Sequence, residues 1–413
     1  MKVLWITNIV FPEALSLLSG KETSIGTGSW LIASSKILTS DCTELQLYVA
    51  SVCSSVNTLT FLDGDKNKYI LLPVLKGGKP YNVKYEYLWR EINSKISPDI
   101  IHIHGTEQLY GLAYINACGS KHVVVSIQGL ISQIGIHYLG GLSKIQILKN
   151  LTFHDILKGG LIAEQKRCIE KGKYEKMIIR SVNHVIGRTT WDRAHSFNIN
   201  HNIKYYHCDE MLREDFYYGK WMFEKCQKHA VFVSQSYYPL KGFHILLKAV
   251  DILKEKYPDI EIRVGGLDIF NVNWYRIWGY GRLINRYIET HKLSKHISFL
   301  GNLSANRMKS EYLNCNVFVS PSSIENSPNS VCEAQILGVP TVASYVGGTM
   351  DIMKGNEENL YRYDDYEMLA YRISQIFESG EKQNDCSEYA LIRHNREKFV
   401  KSMMRIYQTI SKE

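Results

Sequence analysis

Residues 317–344 read VFVSPSSIENSPNSVCEAQILGVPTVAS. The ends of this stretch, Val317–Ser320 and Thr341–Ser344, are continuous runs rather than alternating ones. A run without alternation marks a strand covered on both faces, as in a parallel sheet. Between the two lies a polar loop, then an apolar segment starting near Ser330 or Val331. Asn329 and Ser330 are suitable N-cap residues for that helix, and Gly338 and Pro340 follow its end. Strand, loop, helix and second strand make a βαβ unit.

The same rhythm extends in both directions. In the second half, candidate strands are Ala230–Ser234, Ile260–Val264 and Ile297–Leu300, with helical patterns at Phe243–Lys256, Arg282–His291 and Asn306–Asn314. The first half offers strands at Val3–Thr7, Leu45–Ala50, Ile100–His104, Val123–Ile127 and Val185–Gly187, with helices at Ser29–Leu38 and Tyr87–Ile96. Two such series predict an α/β chain with two doubly wound, parallel-sheet domains. The rhythm breaks near Cys208–Lys225. This reading gives an N-terminal domain over 1–210, a C-terminal domain over 211–386, and a helical end over 387–413 crossing back to the first domain. Leu391, Phe399, Met403 and Ile406 are read as the inner face of that end.

In open α/β sheets, ligands bind beyond the carboxyl ends of the strands. The loop 321–328 is such a place, and the first turn of the helix after it forms an anion site. Glu325 and Glu333 flank that site. Two carboxylates aimed at one phosphate would repel it, so they are read as serving hydroxyls on either side. A sugar–diphosphate–ribose molecule has that layout. On the loop "SQSYYPLKG", after the strand ending at Ser234, stands Lys241, whose ammonium can meet a phosphate. Taken singly, Glu333 could merely complement a helix dipole and Glu325 be a surface acid.

Together, "KGFHILLKA", "FLGNLSANRMKSEYLNCNVFVSPS", "IENSPNSVCEAQILGVPTVAS" and "YVGGTMD" resemble the donor domain of the retaining GT-B glycosyltransferases of family four. Glu325 and Glu333 match that family's E-x7-E signature. The resemblance covers almost all of the second half. It is looser in the first half, through "MKVLWITN", "GTGSWLIASSKIL", "PDIIHIHG" and "VVVSIQGL". It implies the GT-B fold: two Rossmann-like domains facing each other across a cleft, acceptor-binding first and donor-binding second. It implies transfer of a sugar from a nucleoside-diphosphate-sugar to an acceptor hydroxyl with retention, without metal or other cofactor. Glu333 would bind the ribose, Glu325 the donor sugar, and Lys241 the leaving diphosphate. Asn326, Ser327, Pro328, Asn329, Ser330 and Val331 would hold the distal phosphate, and Gly301 and Asn302 would lie beside the base. Gly26 and Gly28 match the glycine loop after the first strand.

Two positions depart from the family. Its usual arginine before the lysine is replaced by Gln235, leaving one cation fewer for the diphosphate. A histidine common near the acceptor is replaced by Gln128, which can orient a hydroxyl but not act as a base. That is tolerable where the departing phosphate oxygen takes the acceptor proton. Glu325 and Glu333 are accordingly not a glycosidase pair. His104, ending "IIHIH" with Glu107 nearby, and Arg188, after a strand, are further acceptor-side candidates. "HIH" lacks a third ligand at metal spacing.

The 413 residues carry a formal charge of +8, and the excess is local: 144–188 holds ten Lys/Arg against four Asp/Glu. That stretch is read either as a solvated helix face or as a surface meeting anionic lipid or a phosphorylated substrate. A basic run with interleaved aromatics is lacking, so nucleic acid is not expected. Nine scattered cysteines without a Cys-x-x-Cys pair, and a start without a signal-peptide pattern, point to a cytoplasmic protein, which the lipid reading of 144–188 would bring to the inner face of the plasma membrane. The expected role lies in cell-surface polysaccharide or glycolipid synthesis, on a glycan or lipid-linked glycan acceptor. The rivals are a nucleotide-sugar 2-epimerase, an inactive nucleotide-sugar-binding protein, and a dinucleotide oxidoreductase. The last lacks G-x-G-x-x-G after the first strand.

Overall fold

The computed structural model describes residues 1–21, 29–75, 81–268, 272–273, 275–380 and 387–413. The chain divides into two compact units. One comprises Met1–Ser132, Glu170–Arg213 and His394–Glu413; the other comprises Gln133–Ile169 and Glu214–Arg393.

The first unit holds strands β1 (Lys2–Thr7), β2 (Gln46–Cys53), β3 (Thr60–Asp63), β4 (Asn67–Pro73), β5 (Ile100–His104), β6 (Val123–Ser126), β7 (His184–Gly187) and β8 (Lys204–His207). Their order is β3-β4-β2-β1-β5-β6-β7-β8, parallel except for the β3–β4 hairpin. Leu4, Trp5, Ile70, Val123, Val125 and Val185 are fully or almost fully buried. Burying each such aliphatic chain contributes about 1.5–3 kcal/mol. Trp5 Nε1 donates to the Tyr407 hydroxyl at 2.9 Å, so the last helix, Arg396–Ile410, is tied to the first strand. Tyr407 in turn meets His102 Nδ1 at 2.7 Å, and His102 Nε2 meets Ser126 Oγ at 2.6 Å. Burial pushes the His102 pKa down to about 3.

The second unit holds β9 (Ala230–Val233), β10 (Glu261–Gly265), β11 (Ile297–Gly301), β12 (Val317–Ser320), β13 (Thr341–Ser344) and β14 (Leu360–Tyr361). The order is β11-β10-β9-β12-β13-β14, all parallel, with a bulge between Val264 and Gly265. This is the Rossmann order, and the chain reverses direction across the sheet between β9 and β12. The loops leaving those two neighbours therefore flank the topological switch point. Against the sheet packs the helix Phe243–Leu253, whose Phe243, Leu246, Leu247 and Val250 are fully buried.

Several expectations need correction. The stretch 133–169 packs with the second unit, not the first, because Leu142, Ile147 and Leu161 enter the second core. The basic run 144–188 is thus divided between the units. The end of the chain is two helices, Ser387–Arg393 and Arg396–Ile410; the first goes with the second unit, and Leu391 is exposed rather than inward. Phe399, Met403 and Ile406 are buried. Strands β3, β4, β8 and β14 were not expected.

Candidate active site

The helix after β12 spans Asn329–Ile336, and its cap residue is Pro328, with φ −70° and ψ 112°. This corrects the assignment of Asn329 or Ser330 as cap. Proline suits the place because the cap residue needs extended backbone and no amide hydrogen. Val331 and Cys332 make the first intrahelical bonds, both to the Pro328 carbonyl, at 3.0 and 3.2 Å. The amides of Asn329 and Ser330 come before those bonds and belong to the turn from which a helix offers N–H groups to an anion. Glu333 lies in this helix and is buried, as is Asn326 in the loop; Ser327, Asn329 and Ser330 are half-buried. The Tyr312 hydroxyl holds the Ser330 carbonyl at 2.9 Å.

Across the switch point stands the loop after β9. Pro239–Lys241 form a turn closed by Gly242, which has φ +69°. A Cβ on Gly242 would lie 1.7 Å from the Pro321 carbonyl oxygen, so only glycine lets the two loops approach. Ser323 N donates to the Leu240 carbonyl at 2.7 Å, fixing the loops to each other.

That fixation brings Lys241 and Glu325 together. Lys241 Nζ lies 2.6 Å from Glu325 Oε1, and the Ser322 hydroxyl donates to the same oxygen at 2.7 Å. Both donors go to Oε1; among the described residues no hydrogen bond reaches Oε2. The Glu325 carbonyl accepts from Gly348 N at 3.0 Å, where the "GG" of "YVGGTMD" passes. Burial alone would lower the Lys241 pKa, but the adjacent Glu325 carboxylate outweighs it and the net shift is upward. The ammonium stays charged throughout the physiological range.

Gly301 ends β11 with φ +69° and open space around it, and Asn302 beyond it is exposed. Gln235 is exposed at the end of β9, alongside Gly266. Gly26 and Gly28 lie outside the described residues.

Sequence reasoning missed the frame around Lys241. Gly140 sits against Pro239, where a Cβ would come within 2.4 Å of its carbonyl oxygen. The Gly140 carbonyl accepts from His244 Nε2 at 2.8 Å and from the Tyr363 hydroxyl at 2.6 Å. His244 is buried, which pushes its pKa down to about 4, so it holds this frame as a neutral ring. The only sequence signal was the glycine pair at 140–141.

In the first unit, His104 and Arg188 line one small cavity with Trp5, Ser126, Asp209 and Glu210. His104 stacks on His102 at 3.8 Å, and its Nε2 is buried with no partner among the described residues. Burial holds the His104 pKa far below the ordinary range. Arg188 is engaged by protein: Nη1 lies 2.6 Å from Glu210 Oε2, and Nη2 donates to the Ile127 and Gln128 carbonyls at 3.1 and 2.9 Å. Its charge is thus matched, and it anchors the backbone before Gln128. Gln128 is half-buried beside it. Glu107 accepts from Asn8 Nδ2 at 2.8 Å across the first sheet's own switch point, and burial raises its pKa to about 7.

With this geometry in view, residues 221–393 match the family described as glycosyl transferases group 1. A D-inositol 3-phosphate glycosyltransferase from Corynebacterium urealyticum is 28% identical over 182 residues, 41% of each chain. The matched stretch thus spans about two fifths of that relative's own length. Sucrose-phosphate synthase from Thermosynechococcus elongatus superposes with a TM-score of 0.70 at 15% identity, over 99% of this chain and 98% of that one. HepE of Anabaena, solved with UDP and glucose, gives 0.66 at 14% identity over 99% and 100%. These likenesses establish the fold as GT-B.

Proposed function

We propose that the protein, whose residues 221–393 match the glycosyl transferases group 1 family on a GT-B fold, moves a sugar from a nucleoside-diphosphate-sugar to an acceptor hydroxyl with retention at the anomeric carbon. The observation that carries this reading is the convergence, at one switch point, of Lys241, Glu325 and the first turn of Asn329–Ile336. The diphosphate takes the helix amides and the ammonium. Glu333 accepts from ribose hydroxyls, and Glu325, through Oε2, accepts from a donor-sugar hydroxyl. Charge builds on the diphosphate as the glycosidic bond lengthens, and a preorganised cation and amides stabilise it most at that moment. The acceptor hydroxyl attacks the same face, and the departing phosphate oxygen takes its proton. No side chain need act as a base, so glutamine at 128 is compatible with turnover.

Transfer needs no metal in this reading, because Lys241 and the helix amides supply the compensating charge. That HepE was solved with UDP and glucose favours a nucleotide-sugar donor. The acceptor is a glycan or lipid-linked glycan in cell-surface polysaccharide or glycolipid synthesis, met at the inner face of the membrane through the basic stretch 144–188.

A thermal-shift screen against UDP-, GDP- and ADP-sugars tests the donor half, because a ligand that binds only the native form raises the melting point. One nucleotide-sugar should raise Tm in wild type and fail to do so in Glu333→Ala. Stabilisation that survives both Glu333→Ala and Lys241→Ala would move the donor site elsewhere.

A further inference from the structure

The second unit carries an apolar surface that its core does not use. Between residues 144 and 158, Ile145, Leu148, Leu151, Phe153, Ile156 and Leu157 are all exposed, Ile156 at 75% and Leu148 at 64%. Large apolar chains exposed singly are ordinary; six within thirteen positions make a patch of the kind that marks an interaction surface. The segment is firmly built. Its two helices, Lys144–Lys149 and Phe153–Lys158, each start with a capping box, Ser143 with Gln146 and Thr152 with Asp155. Leu142, Ile147 and Leu161 anchor it to the second core. Arg282 donates to the Leu151 carbonyl at 3.0 Å, and Gly279 leaves room for Asp155. The fold fixes one side of the segment and presents the other to solvent.

The charge around the patch selects its occupant. Lys144, Lys149 and Lys158 are exposed among the apolar chains, with Lys166 and Arg167 following. The acids of the segment are spent: Asp155 is buried in its capping box, and Glu164 lies 2.6 Å from Arg167. Apolar chains ringed by unopposed lysines match a bilayer interface with anionic headgroups. No helix among the described residues is long and apolar enough to cross a membrane.

We propose that 144–158 is a monotopic anchor, in which the six apolar chains enter an anionic leaflet and the lysines remain at headgroup level. This rests on, and narrows, the reading of a lipid-linked acceptor. It replaces attraction along 144–188 by insertion of one defined surface.

The experiment is sedimentation of the full chain with vesicles of phosphatidylcholine alone and of phosphatidylcholine with phosphatidylglycerol. Binding is expected to the mixed vesicles only, and to persist in part at high salt. Leu148→Ser with Ile156→Ser should weaken partitioning more than about ten-fold, since each chain loses its transfer from water. A tryptophan at 156 (Ile156→Trp) should shift its emission to the blue and be quenched by brominated lipid. Wild-type binding abolished by salt, and unchanged in the double serine variant, would overturn insertion. So would a dimer in sedimentation velocity that the same variant dissociates, because the patch would then face a second copy. UDP-sugar binding is measured on the same samples. Vesicle binding without nucleotide-sugar binding removes the enzymatic reading alone; the reverse removes the anchor alone.

Discussion

Lys241 and Glu325, 84 residues apart in the chain, meet at 2.6 Å across the switch point of the second sheet. In this resting arrangement the carboxylate holds the cation that a diphosphate would need. Glu325→Gln should therefore tighten binding of the free nucleoside diphosphate by roughly 1 kcal/mol, about five-fold. It should also slow transfer, because the donor sugar loses its charged partner. Calorimetry of nucleotide binding beside kcat measurement checks both. Equal or weaker nucleotide affinity would mean that the pair does not compete with the ligand.

Lys241→Ala removes the cation itself. The expected loss is on the order of 2–4 kcal/mol in kcat/KM, the scale for one preorganised electrostatic contact. With Gln235 in place of a second cation, little is left to compensate. Turnover within a few-fold of wild type would take Lys241 out of the site.

Metal should be dispensable. Transfer is expected to continue undiminished in excess EDTA, measured with the donor identified by thermal shift. A loss restored by magnesium or manganese would overturn the metal-free reading.

Two left-handed glycines should differ in their cost of substitution. A Cβ at Gly347, where φ is +52°, would fall 1.9 Å from the Glu325 carbonyl oxygen, while Gly301, at +69°, faces open space. Gly301→Ala should cost about 1 kcal/mol, the backbone penalty alone. Gly347→Ala adds a steric conflict to that penalty and should exceed about 2 kcal/mol while displacing Glu325. Urea midpoints of the two variants check this; equal midpoints would show that the loop yields freely.

The buried histidines predict acid sensitivity. With a folded pKa of about 3, His102 stays neutral where the unfolded chain binds a proton. Its contribution is full above about 6.5 and is lost as pH falls, at up to about 1.4 kcal/mol per pH unit. His102→Gln keeps a donor and an acceptor without titrating, so its urea midpoint should fall less steeply between pH 7 and 5. Parallel slopes for the two proteins would show that His102 is not the group responsible.

Much of the second unit was legible because its strands are short continuous runs and its loops sit where parallel topology puts ligand sites. Glu325 and Lys241 could be placed at one sheet edge from sequence, but their direct contact could not. It depends on Gly242 allowing Pro321 to approach, a fact of backbone conformation. The allegiance of 133–169 was hidden for a similar reason. Periodicity shows that Leu142, Ile147 and Leu161 are apolar, not which core receives them. The cap at Pro328 was missed because no side-chain bond marks it.

Tyr407 closes the first unit against Trp5, 402 residues earlier. During synthesis the strand that carries Trp5 therefore waits for 402 further residues before its indole finds that phenol. The second unit's residues are all made before that phenol, so the first unit is the last to be completed.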